Sequence, residues 1–503
     1  MEALARPSAR RAALLVAGVA VLYGAALNPW YLPEQYDDFV YHQGAREILS
    51  NGCFCVDGMV VGDWGPALPL VLAGPASLGL DSVIAAKAVV LLFVCAALAL
   101  WLRLARREGR PLPLATAALF ALAPTPFLLG TRIMSEWPFA ALAFLFLLML
   151  RDLREKTRGA AWAVATGAVL AAAMLTRFAG VTLLAAVAAQ AIGAWRRERR
   201  LLAPWPEAVA GSIGAVALAG YKAYVAVRSS EGAAVVDYQK GVGFLMHFEV
   251  GSLVRTIGDA PTHIARIAAA ANLPDAPVLL ACSAIAAVML VGLARRVRSG
   301  TASPPDAFVA ATLVLFAFVE WKFTRYLLPV TPFLLSWLFD GVAAIAGAVA
   351  RLAPRFRLAP AAGIALVGLW AAGLLAVDAT LLFSGNGRSH GGLSMIASPT
   401  AEDFYKGYWR DLWAASQAVR AAPGSADADP RPVALLGKYG NERCVFAFSG
   451  RRCVPWVPGP ETPQVSHVIA VEPAVPAPSD VAALGLVELS RHGSVTVWRA
   501  EAR

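Results

Sequence analysis

The feature that most constrains this chain is a series of apolar runs, each about as long as a bilayer is thick. A helix needs roughly 20 apolar residues to cross the hydrocarbon core, somewhat fewer where its ends are amphipathic. Eleven runs meet that need: 12–27, 82–104, 112–130, 134–150, 160–176, 178–194, 206–227, 276–294, 307–319, 327–349 and 361–383. Residues 66–80 form a shorter, proline-broken run that reads as an interfacial helix. With 58% hydrophobic and 16% charged residues, the chain is far from soluble composition. The expected class is an all-α polytopic membrane protein of about eleven spans, followed by a small α/β domain.

The charges test the order of the spans. Arg6/Arg10/Arg11, Arg103/Arg106/Arg107/Arg110, Arg151/Arg154/Lys156/Arg158, Arg196/Arg197/Arg199/Arg200, Arg295/Arg296/Arg298 and Arg351/Arg355/Arg357 all fall on one side. That side is the cytoplasm by the positive-inside rule. The net charge of +10 therefore reads as topology, and no nucleic-acid partner is expected. The segments 28–80, 131–133, 177, 228–275 and 321–326 fall on the external side. Two parts follow: a membrane module over 1–383, with external loops 28–80 and 228–275, and an external domain over 384–503. In the second part 432–437, 467–472 and 494–499 read as strands and 480–486 as a short helix. Cys444 and Cys453 flank a possible hairpin over 445–452 and would pair in an oxidising compartment. Cys53 and Cys55 are too close in sequence to pair comfortably with each other.

The first external loop opens with Tyr36-Asp37-Asp38-Phe39-Val40-Tyr41-His42. A helix from Asp37 puts Asp38 and His42 on one face and Asp37 and Tyr41 on another. One acid suffices to cap a helix. Two adjacent acids repel, which points to chemistry at one of them. Glu136 begins another helix. It reads as a second active-site acid, as a cap, or as a partner of Arg132 four residues earlier. Arg132, Arg177, Lys322 and Arg325 are external cations, Arg325 standing beside Tyr326. Interfacial anchoring or snorkelling also explains such residues. Asp38 and His42, with His247 or Glu249, would offer metal ligands. No dense ligand motif accompanies them, so no metal or other cofactor is expected.

The pattern Asp37-Asp38-x-x-Tyr41-x-x-x-Ala45-Arg46-Glu47-Ile48-Leu49-x-x-Gly52 resembles the first loop of the GT-C glycosyltransferases. These integral membrane enzymes include protein O-mannosyltransferases and lipid A aminoarabinose transferases. The resemblance runs on through Trp64-Gly65-Pro66-Ala67-Leu68-Pro69-Leu70, Ser135-Glu136-Trp137-Pro138, Leu175-Thr176-Arg177-Phe178-Ala179-Gly180 and Arg325-Tyr326-Leu327-Leu328-Pro329-Val330-Thr331-Pro332. Several members carry a lysine before the first-loop proline pair, where this chain has Asp63-Trp64-Gly65.

The resemblance implies transfer of a sugar from a polyprenyl-phosphate donor, anchored in membrane lipid, to a glycan, lipid or protein acceptor at the external face. It implies inversion, with Asp37 as general base and Asp38 as its acidic neighbour. Arg325, Tyr326, Lys322 and Arg177 would meet the donor phosphate. Glu136, Tyr41, His42 and Arg132 are further active-site candidates. The alternative class is a transporter or lipid flippase, but that asks for ionisable groups at mid-membrane depth, and these spans are nearly free of charge. The Ala- and Arg-rich composition points to a bacterial inner membrane.

Overall fold

The computed structural model describes residues 8–30, 37–56, 59–62, 64–155, 159–200, 204–230, 235–236, 249–270, 273–319, 324–352, 367–377, 379, 408–421, 433–436, 453–455, 465–471 and 485–500. Its contacts divide the chain into two units, 1–25 with 44–379 and 26–43 with 380–503. The boundary near 380 lies where the composition changes. The division also groups 26–43, the start of the first loop, with the C-terminal residues.

The first unit is helical. Its elements are α1 (Ala9–Ala25), the C-terminal part of α2 (Asp37–Asn51), α3 (Ala67–Ser77), α4 (Val83–Arg107), α5 (Pro113–Ala121), α6 (Pro124–Gly130), α7 (Glu136–Glu155) and α8 (Ala160–Thr176). There follow α9 (Leu183–Glu198), α10 (Trp205–Ser230), α11 (Val250–Thr262), α12 (Ile264–Ala270), α13 (Asp275–Arg298), α14 (Pro304–Phe318), α15 (Thr331–Leu352) and α16 (Val367–Val377). Strands β1 (Cys55–Val56), β2 (Met59–Val61) and β3 (Val235–Val236) form a small sheet in that order.

Five of the described helices are long and apolar enough to cross a membrane, or six if the bent pair α5–α6 is one span. That is fewer than the eleven expected runs, and the difference has local causes. Pro124 and Pro126 break the 112–130 run, so α5 and α6 meet at 67°. Helices α8, α14 and α16 are apolar but short. The chain is a multi-pass membrane protein. Leu92, Val216, Leu280, Leu290 and Val314 stand exposed on its helices, as lipid-facing side chains do.

Helix ends follow their sequence signals. The Ser82 hydroxyl accepts from the Ala85 amide to cap α4, and Arg106 and Arg107 close its last turn. Ser303 and Asp306 form a capping box at α14. The core is aromatic. Trp101, Phe144, Phe308 and Phe333 pack with ring centroids 4.9–6.3 Å apart. Helices α13 and α15 approach through glycine: a side chain at Gly292 would strike the Trp337 carbonyl, and one at Gly341 that of Val288. Close approach over small residues is how helices associate in lipid.

One end of this unit gathers the basic loops. Arg110 lies 2.7 Å from Asp306, which also accepts from Trp337 Nε1 at 2.8 Å; Arg296 sits 3.5 Å from Asp306 and 3.4 Å from Asp340. Arg107 pairs with Asp152, and Arg151 with Glu108 at 2.9 Å. Three of the clusters assigned to one membrane side from sequence therefore contribute to joined helix ends.

A disulfide joins Cys53 and Cys55, contrary to the expectation that they are too close to pair. The two Cα atoms lie 5.4 Å apart, inside the ordinary disulfide range, so closeness in sequence does not forbid the bond.

In the second unit the sheet order is β5 (Cys453–Pro455), β4 (Val433–Leu436), β6 (His467–Val471), β8 (Val495–Ala500), β7 (Leu486–His492). Strand β4 runs parallel to β5 and β6, and β8 antiparallel to β6 and β7. The expected strands over 432–437, 467–472 and 494–499 correspond to β4, β6 and β8. Residues 480–484 and 445–452 lie outside the described residues, as does Cys444. Leu486 opens a strand rather than ending a helix, because Gly493 at φ +53° turns β7 back onto β8. Helix α17 (Tyr408–Ala421), absent from the sequence reading, buries Leu412, Ala415 and Val419. Its Asp411 accepts from the Ser494 amide at 3.3 Å.

Candidate active site

Asp37 and Asp38 form the first turn of α2. Carboxylates are favoured there by the exposed amides and the helix dipole. The expected faces are present. Asp38 and His42 are both buried, and Tyr41 is buried on the other face, while Asp37 keeps partial exposure. Of the two acids, Asp37 is the one solvent reaches.

Two of the four expected cations, Arg177 and Arg325, meet the second acid in the other unit. Arg177 ends α8 in an extended conformation, φ −149° and ψ 133°, before a 3₁₀ turn over Phe178–Thr182. That break carries its side chain off the helix. The Gly180 amide returns to the Arg177 carbonyl at 2.8 Å, and the bare Cα of Gly180 rests against Met174. Arg325 and Tyr326 lie on a second 3₁₀ stretch, Thr324–Val330, which Pro329 and Pro332 keep out of α15. Glu136 starts α7, whose entry is fixed by a bond from Trp137 Nε1 to the Pro126 carbonyl at 2.9 Å.

These three breaks converge. Arg177 Nη1 lies 2.8 Å from Glu136 Oε1 and donates to Ser135 Oγ at 3.0 Å. Arg325 Nε lies 3.9 Å from the same Glu136 oxygen. Both guanidiniums flank the Tyr326 ring, at 5.4 and 5.2 Å from its centroid. Glu136 pairs with these arginines, and not with Arg132 as its spacing allows, because residues 131–135 form a turn and the helix begins only at Glu136. Arg132 is buried nearby in sequence. Lys322 and His247 lie outside the described residues, and Glu249 is exposed at the start of α11. Among the described residues no three His, Cys, Asp or Glu side chains group as metal ligands.

Several contacts of these residues carry no sequence signal. Gly65 sits against the Leu175 carbonyl, so the first loop rests on the last turn before Arg177. Tyr221 on α10 donates to the carbonyls of Val61 and Trp64, and Lys222 donates to the Gly62 carbonyl at 3.1 Å while lying 4.1 Å from the Phe178 ring centroid. Lys87 is fully buried in α4, the single charge between Ser82 and Trp101, and that isolation was its only signal. A cavity of about 370 Å³ opens at the basic end, lined by Arg107, Glu108, Arg151, Gln190 and Ser303. Its Arg151 and Glu108 pair with each other and its Arg107 with Asp152, and none of the arginine-cluster residues lines it.

With its helical membrane unit and the arginines gathered there at interrupted helix ends, the chain has the fold of the GT-C membrane glycosyltransferases. Particular structures carry the likeness. ArnT from Cupriavidus metallidurans bound to undecaprenyl phosphate aligns with a TM-score of 0.59 at 15% identity, covering 98% of this chain and 99% of that one. The mycobacterial arabinofuranosyltransferase AftD aligns at 0.52 and 15% identity, over 99% of this chain and 42% of that one. An oligosaccharyltransferase from Archaeoglobus fulgidus, tethered to an acceptor peptide, aligns at 0.52 and 12%, over 92% and 69%. No protein-family model matches the sequence, and no curated protein matches it in sequence.

Proposed function

We propose that this chain is an inverting membrane glycosyltransferase that moves a sugar from a polyprenyl-phosphate donor to an acceptor at the external face of a bacterial inner membrane. The observation that carries the reading is the gathering of Arg177 and Arg325 around Tyr326, in a fold shared with a transferase that holds undecaprenyl phosphate. Transfer makes a bond from the acceptor heteroatom to the anomeric carbon. The bond from that carbon to the phosphate oxygen breaks, its electron pair staying on the phosphate. The acceptor's proton goes to Asp37, the solvent-reached member of the acid pair. Asp38 stands as its acidic neighbour in the same helix turn. Arginine meets the growing phosphate charge, its planar fork matching paired oxygens. The C-terminal residues, proposed to be periplasmic, serve the acceptor side. No step is routed through a metal.

The test is the lipid that co-purifies with the protein, identified by mass spectrometry. A polyprenyl phosphate or its glycoside is expected with the wild type and is expected to be depleted in Arg177→Ala/Arg325→Ala. Recovery of bulk phospholipid alone, equal in both proteins, would overturn the reading.

A further inference from the structure

Glu136 holds an unusual place in the arginine cluster. Its side chain is 1% exposed, while those of Arg177 and Arg325 keep 16% and 21%. One carboxylate oxygen faces both cations, which come from separate interrupted helices. Two guanidiniums repel at such spacing, and a carboxylate between them offsets that repulsion. Glu136 is turned toward the arginines rather than toward solvent, which suits a fixed counter-charge better than a proton acceptor for an incoming group.

We propose that Glu136 is a positioning residue that holds Arg177 and Arg325 together and sets which phosphate they prefer. The proposal rests on the reading of this site as one that takes a lipid-linked phosphate. A glycosyl donor is a phosphodiester with one negative charge. The phosphate that leaves is a monoester with a second ionisation near pH 6, so it carries about −1.5 to −2 at neutral pH. A fixed negative charge beside the arginines disfavours the more highly charged species more. Glu136 thereby favours donor over spent carrier and speeds release of the latter.

The experiment measures binding of two probes to purified protein in lipid nanodiscs at pH 8: a polyprenyl phosphate and its methyl diester. The readout is the ratio of the two affinities. A merely structural role would weaken both lipids and leave the ratio alone. Glu136→Gln is expected to shift the ratio toward the monoester by on the order of tenfold, the size of one added unit-charge interaction at protein-like dielectric. Should Glu136→Gln not fold, Glu136→Asp carries the test. Its shorter reach withdraws the charge from Arg325, already 3.9 Å away, and the ratio is expected to move the same way by a few-fold. An unchanged ratio with binding intact overturns the proposal and spares the functional reading. A wild type that binds neither lipid overturns both.

Discussion

The backbone of Gly65 lies against the carbonyl of Leu175, two residues before Arg177. A methyl group has no room there, because the nearest atoms are main chain and cannot rotate away. Gly65→Ala is expected to push the first loop off α8 and to move Arg177. Overpacking of this kind costs about 1–3 kcal/mol. A lowered melting temperature together with weakened lipid-phosphate binding would bear this out. A variant as stable and as active as the wild type would show that the loop does not rest on α8.

Arg325→Lys keeps the charge and loses the fork. A lysine cannot meet two phosphate oxygens in one plane. Donor affinity is expected to fall by about 1.5–3 kcal/mol, the range for a charge-assisted hydrogen bond. Equilibrium binding of a polyprenyl-phosphate sugar measures it. Unchanged affinity in Arg325→Ala would remove Arg325 from the donor site.

The helix at Asp37 is legible because two acids precede an apolar stretch, and its register follows from the helical repeat. The strands β4, β6 and β8 are legible as short β-branched runs between turn residues. Pairing between distant segments is not. Helical spacing offers Glu136 the partner Arg132, yet the helix starts too late for that rule to act, and Arg177 arrives from another helix end. Lys222 lies in a run that reads as membrane span, and only the fold shows it gripping the Gly62 carbonyl. The Cys53–Cys55 bridge escapes a spacing argument because the distance between the two Cα atoms, 5.4 Å, decides it and not the number of residues between them. Of the expected spans, five described helices meet the length and composition of a crossing, or six with the pair bent at Pro124 and Pro126.

Arg110 and Asp306 form a buried pair at the basic end, with side chains 0% and 5% exposed. Removing Arg110 leaves buried Asp306 with only the more distant Arg296, 3.5 Å away, as its counter-charge. Arg110→Ala is expected to cost about 3–5 kcal/mol, read as a loss of thermal stability in detergent. Arg46→Ala, which breaks the exposed pair with Asp81, is expected to cost no more than about 1 kcal/mol. Equal losses in the two variants would contradict the burial argument.

The topology has its own test. Single cysteines at Ser299 and Ser425, in a background free of other cysteines, would be probed with an impermeant thiol reagent on intact cells. Ser425 is expected to label and Ser299 only after lysis, since Ser299 follows the basic turn Arg295–Arg298. Labelling at Ser299 in intact cells would invert the assignment.

Asp37→Asn is expected to abolish transfer while leaving the fold and donor binding in place. Asparagine caps a helix about as well as aspartate, so a purely structural Asp37 would tolerate the change. A base would not, because the amide cannot take the acceptor's proton. Loss of a general base lowers the rate by about 10²–10⁴. Asp38→Asn is expected to be milder in rate, since buried Asp38 is the neighbour of the base and not the group that takes the acceptor's proton. Single-turnover transfer from a defined donor lipid, with melting measured in parallel, separates the cases. Normal turnover in Asp37→Asn with a dead Asp38→Asn would move the base by one residue. Activity in both would take the acid pair out of the chemistry and leave the arginine cluster as a binding site without a base.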